Sequence, residues 1–439
     1  MADMAEQLEK LHIAVFPWLA LGHIGPFFEL AKLIAQKGHK ISFISTPRNI
    51  HRLPEVPENL QSLVDLIELP LPSVEKLPEN AEATSDIPHH IIPYLKLAFD
   101  GLEEPLTKFL ETCKPHWMIH DFAPYWLPPI SSKLGISCIF FSIFTASGMY
   151  SFFDYYAKER TVASKDFPEE HFETNESGVS DVFRVLETCN GAQVIAARSC
   201  MEIEGEILKL WQSIHTRPVI PVGLLPPSLQ FSEDSNDENW DSILNWLDKQ
   251  EKGSVIYVAF GTEVTLSDED FTEITMGIEM SGFPFFWVLK KQNTSTVELE
   301  DVLVNNSEKG LVWRTWAPQM RILAHKSVGG FLTHCGWSSV IESLQIGCPL
   351  VMLPFQNEHF VVARVMEEKR VGVTVQRNEH DGKFTRESLA KALRSVILEK
   401  TYRSEADEMS KIFGDKELHQ KYVDQFVNYM EIHRPVMKD

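Results

Sequence analysis

The 439-residue chain is too long for one hydrophobic core and has room for two or three domains of ordinary size. Hydrophobic residues at 44% and charged residues at 23% exclude a disordered chain, and a formal charge of −21 excludes a nucleic-acid binder, which needs basic patches. Any anionic ligand must therefore be held by local dipoles.

The stretch MADMAEQLEK is polar and acidic, so no signal peptide is expected, and no apolar run reaches the roughly 18 residues of a membrane-spanning helix. HIAVF (12–16), closed by Pro17, reads as a buried strand. The loop WLALGHIG follows, and Pro26 opens a helix with Phe27, Leu30, Ala31 and Ile34 at helical spacing and Gly38 beyond its end. ISFIS (41–45) is the next strand, and PHWMI leads to Asp121 as another strand end. In the second half, SVIYVAFG (254–261), FPFFWVLK (283–290), GLVWRTW (310–316), VGGFLTH (328–334) and PLVMLP (349–354) repeat the rhythm, and Ser267 with Asp270 caps a helix that runs to about Ser281.

Short apolar strands joined through helices predict parallel sheets covered on both faces. PPSLQFSEDSNDEN (226–239) reads as a linker and QNTSTVELEDVLVNNSEKG (292–310) as a surface excursion. Near the end, Val423, Phe426, Val427 and Met430 share one helical face. The expected organisation is a first domain over 1–228, a linker over 229–239, a second domain over 240–418 and a closing helix over 419–439 that packs back on the first domain. Ligands of doubly wound sheets sit at the carboxyl ends of the strands, which predicts a cleft between the two domains. Six scattered cysteines without a C-x-x-C pair read as reduced thiols of a cytoplasmic chain, and not as disulfides or zinc ligands, and a monomer is expected.

The most informative stretch runs from Trp316 to His359: WAPQMRILAHKSVGGFLTHCGWSSVIESLQIGCPLVMLPFQNEH. Trp316 at a strand end offers a flat face on which a base could stack. His334 ends another strand, Gly336 allows backbone to approach a ligand, and Ser338 and Ser339 begin a helix whose free N–H groups and dipole make an anion site. Each feature also has a plain structural reading. Ser339-x-x-Glu342 is a capping box, and Trp316 and His334 each suit a core. Their joint occurrence in one strand–turn–helix block is harder to assign to structure alone.

This block resembles the signature box of plant family-1 UDP-glycosyltransferases, which begins WAPQ and contains THCGW-x-S-x-x-E-S. The resemblance extends over essentially the whole chain, including FPWLALGHIGPFFELAK, the HDF at 120–122, the FGTE loop and the closing helix. It implies the GT-B fold, an α/β architecture of two Rossmann-like doubly wound domains facing across a cleft. It also implies an inverting, metal-independent enzyme with a UDP-sugar as co-substrate and no further cofactor. The opening and HDFAPYWLPP look most like the subgroup that adds a sugar to a terpenoid or flavonoid glycoside. The resemblance assigns Trp316 to stack on uracil, with Ala317 at its edge, and Gln319 to the ribose region. Glu342 would accept the ribose hydroxyls. His334, Gly336, Ser338, Ser339 and Thr262 would hold the diphosphate, and Gly22 joins the nucleotide-sugar set. Trp337, Glu358 and His359 would line the sugar. Two departures bear on the donor: Ser338 stands where the family usually has Asn, and His359 where it commonly has Gln.

Forming a glycosidic bond requires a base for the acceptor hydroxyl, and an imidazole can serve. His23 lies after the first strand at its carboxyl end, and an acid at Asp121 could fix its tautomer. A loop histidine that merely caps the next helix is the alternative on spacing alone. The resemblance assigns the catalytic pair to His23 and Asp121. Trp18, Phe122, Trp126 and Phe144 are the candidate acceptor-pocket aromatics, with core packing equally open. Asp268-Glu269-Asp270 imitates the D-x-D of metal-dependent glycosyltransferases but follows Ser267 at a helix start, where acids complement the dipole. An NAD-linked oxidoreductase would need G-x-G-x-x-G where the chain has GHIGPF, and a serine hydrolase G-x-S-x-G, which is absent. A non-catalytic metabolite carrier would have no use for His23 and Asp121. Within the enzyme class, transfer to a bare aglycone is the alternative to transfer onto an existing sugar.

Overall fold

Runs of β-branched and aromatic residues bounded by polar turns become strands here, and the amphipathic stretches between them become crossover helices. A computed structural model describes residues 10–157, 169–229, 238–289, 309–356 and 358–435. Residues 230–237 of the expected linker and 292–308 of the expected surface excursion lie outside the described residues. The chain separates into two compact units, one up to Leu225 together with the stretch from Glu417 onward, the other Pro226–Lys416.

In the first unit the strands are β1 (His12–Phe16), β2 (Lys40–Ser45), β3 (Val64–Glu68), β4 (Trp117–His120), β5 (Ser137–Ser142), β6 (Val194–Ala197) and β7 (Val219–Pro221). They form a parallel sheet in the order β3-β2-β1-β4-β5-β6-β7. Successive side chains point to opposite faces, so each strand feeds two cores. Phe16 and Phe140 pack on one face with Trp18, Phe99 and Trp126. Val15 and Phe141 pack on the other with Phe27, Phe28 and Phe43. The closing helix (Lys416–Ile432) inserts Val423, Phe426, Val427 and Met430 into this second core. At about 1.5–3 kcal/mol per fully buried side chain, an upper figure, those four residues outweigh its exposed polar face in docking the helix. The indole N–H of Trp117 donates to the Met430 carbonyl at 3.1 Å and fixes its end.

The second unit repeats the plan with β8 (Val255–Ala259), β9 (Phe285–Val288), β10 (Gly310–Trp313), β11 (Val328–Thr333), β12 (Leu350–Met352) and β13 (Gly372–Thr374). Their parallel order is β10-β9-β8-β11-β12-β13. Ile256, Val258, Phe271, Trp287 and Leu389 lie in its core. Strand order reverses beside β1 in the first sheet and beside β8 in the second. At such a point the loops leaving two neighbouring strands diverge and open a crevice.

Several boundaries differ from the sequence expectation. The first helix runs Leu21–Gln36, so Pro26 is its sixth residue rather than its first. Lacking an N–H, Pro26 forfeits the bond to the Gly22 carbonyl alone, and burial of Ile24, Phe27 and Phe28 sustains the turn. β10 ends at Trp313, leaving Trp316 in the following segment, and β11 ends at Thr333, just short of His334. The next helix runs Trp337–Leu344 with Gly336 as N-cap. Ser339 is therefore already inside the helix, and the capping-box alternative for Ser339 and Glu342 is set aside. Ser267 does cap Asp268–Ser281: its hydroxyl accepts from the Asp270 N–H.

Candidate active site

In the first unit, β1 and β4 are neighbours with Phe16 opposite His120, so the residues that follow them emerge side by side at the reversal of strand order. His23 is the third residue of the helix after β1, and Asp121 directly follows β4. Asp121 is 1% exposed, yet both oxygens are satisfied. Its Oδ2 accepts from His23 Nδ1 at 2.7 Å and from the Trp18 N–H at 3.1 Å, and Oδ1 accepts from the Phe122 N–H at 2.7 Å. A carboxylate only accepts, so Nδ1 of His23 carries the ring proton and Nε2 keeps its lone pair. The imidazole lies between Phe122 and Phe144, at ring-centroid distances of 5.7 and 5.6 Å. The helix takes its N-cap from Ala20 with no side-chain cap, so the capping alternative for His23 is also set aside. Beneath the pair, His120 is fully buried, and burial lowers its pKa to about 4.

In the second unit, β8 and β11 are the neighbours at the reversal, with Thr333 opposite Ala259. His334 follows β11 and is enclosed by glycines: a Cβ on Gly261 would lie 2.7 Å from its Cε1, and one on Gly336 2.5 Å from its Nε2. No residue with a side chain fits at either position without moving the ring. The helix starting at Trp337 directs its first N–H groups, from Trp337, Ser338 and Ser339, toward this turn, the arrangement that favours an anion. The His359 ring meets His334 edge to face at 4.8 Å. Burial lowers the His359 pKa to about 4, so the ring is neutral at pH 7, and its Nδ1 has no partner among the described residues. Glu342, on the same helix as Ser339, accepts from Gln319 Nε2 at 2.6 Å, and Gln319 Oε1 accepts from the Tyr257 hydroxyl at 3.1 Å. Trp316 is 76% exposed, and its carbonyl accepts from the Trp313 indole N–H at 3.2 Å.

The expected residues therefore fall into three groups. His23 and Asp121 are in direct contact, with Gly22, Phe122 and Phe144 beside them. His334, Gly336, Ser338, Ser339 and His359 gather at one strand-end turn, while Gln319 and Glu342 are bonded and Ala317 lies half-buried beside the exposed Trp316. The remaining expected residues make contacts of their own. Trp18 and Trp126 lie in the core at 3% and 6% exposure, and the Trp126 indole N–H bonds Asp100. The Trp337 indole packs edge-on against Phe413. Thr262 donates to Glu263 at 3.1 Å, and Glu358 opens the helix Glu358–Glu368. Sequence reasoning missed Tyr257 and Trp313. A hydroxyl inside the otherwise apolar SVIYVAF was the available signal for the first.

The comparisons agree with this architecture. A family model described as UDP-glucoronosyl and UDP-glucosyl transferase matches residues 236–435. The chain is 45% identical to UDP-glycosyltransferase 91A1 of Arabidopsis thaliana, covering 97% of each chain. It is 41% identical to soyasaponin III rhamnosyltransferase of Glycine max, covering 97% of this chain and 96% of that one. The crystal structure of Arabidopsis thaliana UGT89C1 complexed with UDP-L-rhamnose matches with a TM-score of 0.79 at 24% identity, covering 96% of this chain and 99% of that one, which establishes the GT-B fold. No helix among the described residues is long and apolar enough to cross a membrane. Rossmann-like topology present twice and 45% identity over nearly the whole length of a curated transferase lead to one conclusion: the chain belongs to the plant family-1 UDP-glycosyltransferases, enzymes that use a UDP-sugar as co-substrate to glycosylate plant secondary metabolites.

Proposed function

We propose that this enzyme transfers a hexose, glucose or rhamnose, from UDP to a sugar hydroxyl of a terpenoid, saponin or flavonoid glycoside, with inversion at the anomeric carbon. The observation that carries the reading is the 2.7 Å contact of His23 Nδ1 with a buried Asp121 whose other bonds are all to backbone. Nε2 of His23 takes the acceptor proton as the hydroxyl oxygen attacks the anomeric carbon. The bond from that carbon to the UDP oxygen breaks, and UDP departs with the electron pair. Such general-base assistance is worth about 10²–10⁴-fold. Asp121 holds the tautomer and offsets the imidazolium charge that develops.

The second unit holds the donor. Uracil stacks on Trp316 with the Ala317 backbone at its edge, and Glu342 receives the ribose hydroxyls beside Gln319. The diphosphate lies at Thr262, His334, Gly336, Ser338 and Ser339, where the helix start meets the charge of the leaving group, and the reaction calls on no metal. Glu358, His359 and the Trp337 backbone face the sugar, and Gly22 borders the reacting end. The neutral His359 ring, whose Nδ1 has no partner among the described residues, and the kinship with a soyasaponin III rhamnosyltransferase support rhamnose beside glucose. Transfer to a bare aglycone is the second reading, favoured by the Phe122 and Phe144 rings beside His23, which suit a flat skeleton. We further place the enzyme in the cytoplasm as a monomer. Its six cysteines are unpaired, and burial raises the thiols of Cys138, Cys189 and Cys200 to about 12.

The test is a screen of UDP-glucose, UDP-rhamnose, UDP-galactose and UDP-xylose against paired aglycones and monoglycosides, read by mass shift, with and without a chelator. Hexose addition to monoglycosides, unaffected by chelation, is the expected result. Addition to aglycones alone would replace the first reading by the second, and loss of turnover with the chelator would contradict the metal-free reaction.

A further inference from the structure

We propose that Tyr257 is a positioning residue for donor binding: its hydroxyl sets the amide of Gln319 and, through it, the carboxylate of Glu342. This rests on the reading that Glu342 receives the ribose hydroxyls. Tyr257 sits mid-strand in β8, 1% exposed, flanked in sequence by Ile256 and Val258. Phenylalanine would fill the same space. Burying a hydroxyl is unfavourable unless it is bonded, so this one needs a reason, and its partner among the described residues is Gln319 Oε1 at 3.1 Å.

Donor and acceptor arithmetic fixes the direction of the relay. Glu342 only accepts, so the group of Gln319 that lies 2.6 Å from its Oε2 is the NH2. The amide oxygen is then turned toward Tyr257, whose hydroxyl must donate. Burial, with the nearby Glu342 charge added, holds the phenol well above its ordinary range, so it remains a donor. Three elements meet in this chain: β8, the helix Gln319–Leu323 and the helix Trp337–Leu344. Without the hydroxyl, the amide oxygen of Gln319 loses its partner, and the amide shifts toward other donors, carrying the carboxylate bonded to its NH2 from the position that two vicinal ribose hydroxyls require.

The test is Tyr257→Phe, which keeps the ring packed against Phe331 and Phe286, at centroid distances of 5.0 and 6.1 Å. Affinities for UDP and for 2′,3′-dideoxyuridine diphosphate are measured by calorimetry in the wild type, Tyr257→Phe, Gln319→Ala, the double variant and Glu342→Ala. The expected result is a loss of about three- to tenfold in UDP affinity, the scale of one hydrogen bond, with affinity for the dideoxy analogue unchanged. KM for the donor rises while kcat at saturating donor holds, and Tyr257→Phe adds nothing in the Gln319→Ala background. Equal weakening toward both nucleotides would show a general structural role and overturn the proposal. Glu342→Ala separates the two failures. If it abolishes discrimination between the nucleotides and Tyr257→Phe leaves discrimination intact, the relay is wrong. If Glu342→Ala itself keeps the discrimination, the ribose assignment is wrong and the relay falls with it.

Discussion

Replacing Asp121 by Asn keeps the shape of the side chain and changes only its hydrogen-bonding pattern. Three donors converge on the carboxylate: the Phe122 N–H on Oδ1 at 2.7 Å, and the Trp18 N–H and His23 Nδ1 on Oδ2 at 3.1 and 2.7 Å. An amide cannot accept on both sides. With its oxygen at the Oδ2 position, its NH2 faces the Phe122 N–H. Reversed, its NH2 faces Trp18 and His23, which forces the proton of the imidazole onto Nε2 and removes the base. Either arrangement leaves one buried backbone N–H unpaired, at about 1–3 kcal/mol of stability. The first orientation preserves the tautomer but lacks the charge that offsets the imidazolium, so kcat falls by about 10²–10⁴-fold whichever is adopted. UDP-release kinetics with the best acceptor give kcat, thermal melting gives the stability loss, and calorimetry should find UDP affinity unchanged. An Asp121→Asn enzyme with kcat within about threefold of wild type would refute the reasoning, because catalysis would then be indifferent to the carboxylate charge, which both orientations remove.

Trp316→Ala should leave the melting temperature nearly unchanged, since the side chain is 76% exposed, while weakening UDP binding by about 1–3 kcal/mol, the scale of one base–aromatic stack. Calorimetry with UDP decides it, and an unaltered Kd would remove the stacking role. Gly336→Ala places a Cβ 2.5 Å from His334 Nε2, where the ring is 7% exposed and a Gly261 Cβ would stand 2.7 Å from Cε1. That variant should lose affinity for UDP and melt earlier, by circular dichroism. His120 and His359 both carry pKa values lowered from 6.5 to about 4, so the unfolded chain takes up protons at higher pH than the folded one. The stability they contribute, at most about 3 kcal/mol each, is complete above pH ~6.5 and drains away as pH falls toward ~4. Melting curves between those limits should show the decline, and His359→Gln should flatten it.

The sheet architecture was legible because buried parallel strands must be short, apolar and separated by amphipathic helices, and HIAVF, ISFIS and VGGFLTH all meet that requirement. Boundaries were less legible where one residue type serves two purposes. Pro26 is as suited to opening a helix as to sitting one turn inside it, and burial of Ile24 in the preceding turn decided the matter. Ser339 and Glu342 satisfy a capping-box pattern, yet Gly336 starts the helix earlier and leaves Glu342 to Gln319. The aromatics were the least legible. Nothing in the spacing separates Phe122 and Phe144, which flank the imidazole, from Trp18 and Trp126, which fill the core, because the distinction depends on Phe99 and Asp100 arriving from elsewhere in the chain. Tyr257 was hidden for a related reason: a tyrosine in an apolar strand looks like core until its hydroxyl finds a partner 62 residues away.

The proposed division of labour, with a base on the first unit and a donor site on the second, is tested most directly by His23→Ala, with kcat and UDP affinity measured on the same preparation. Turnover should fall by at least about 10²-fold while the Kd for UDP stays at the wild-type value. Substantial turnover in that variant, or a loss of UDP affinity matching the loss of kcat, would contradict the assignment of His23 as the base.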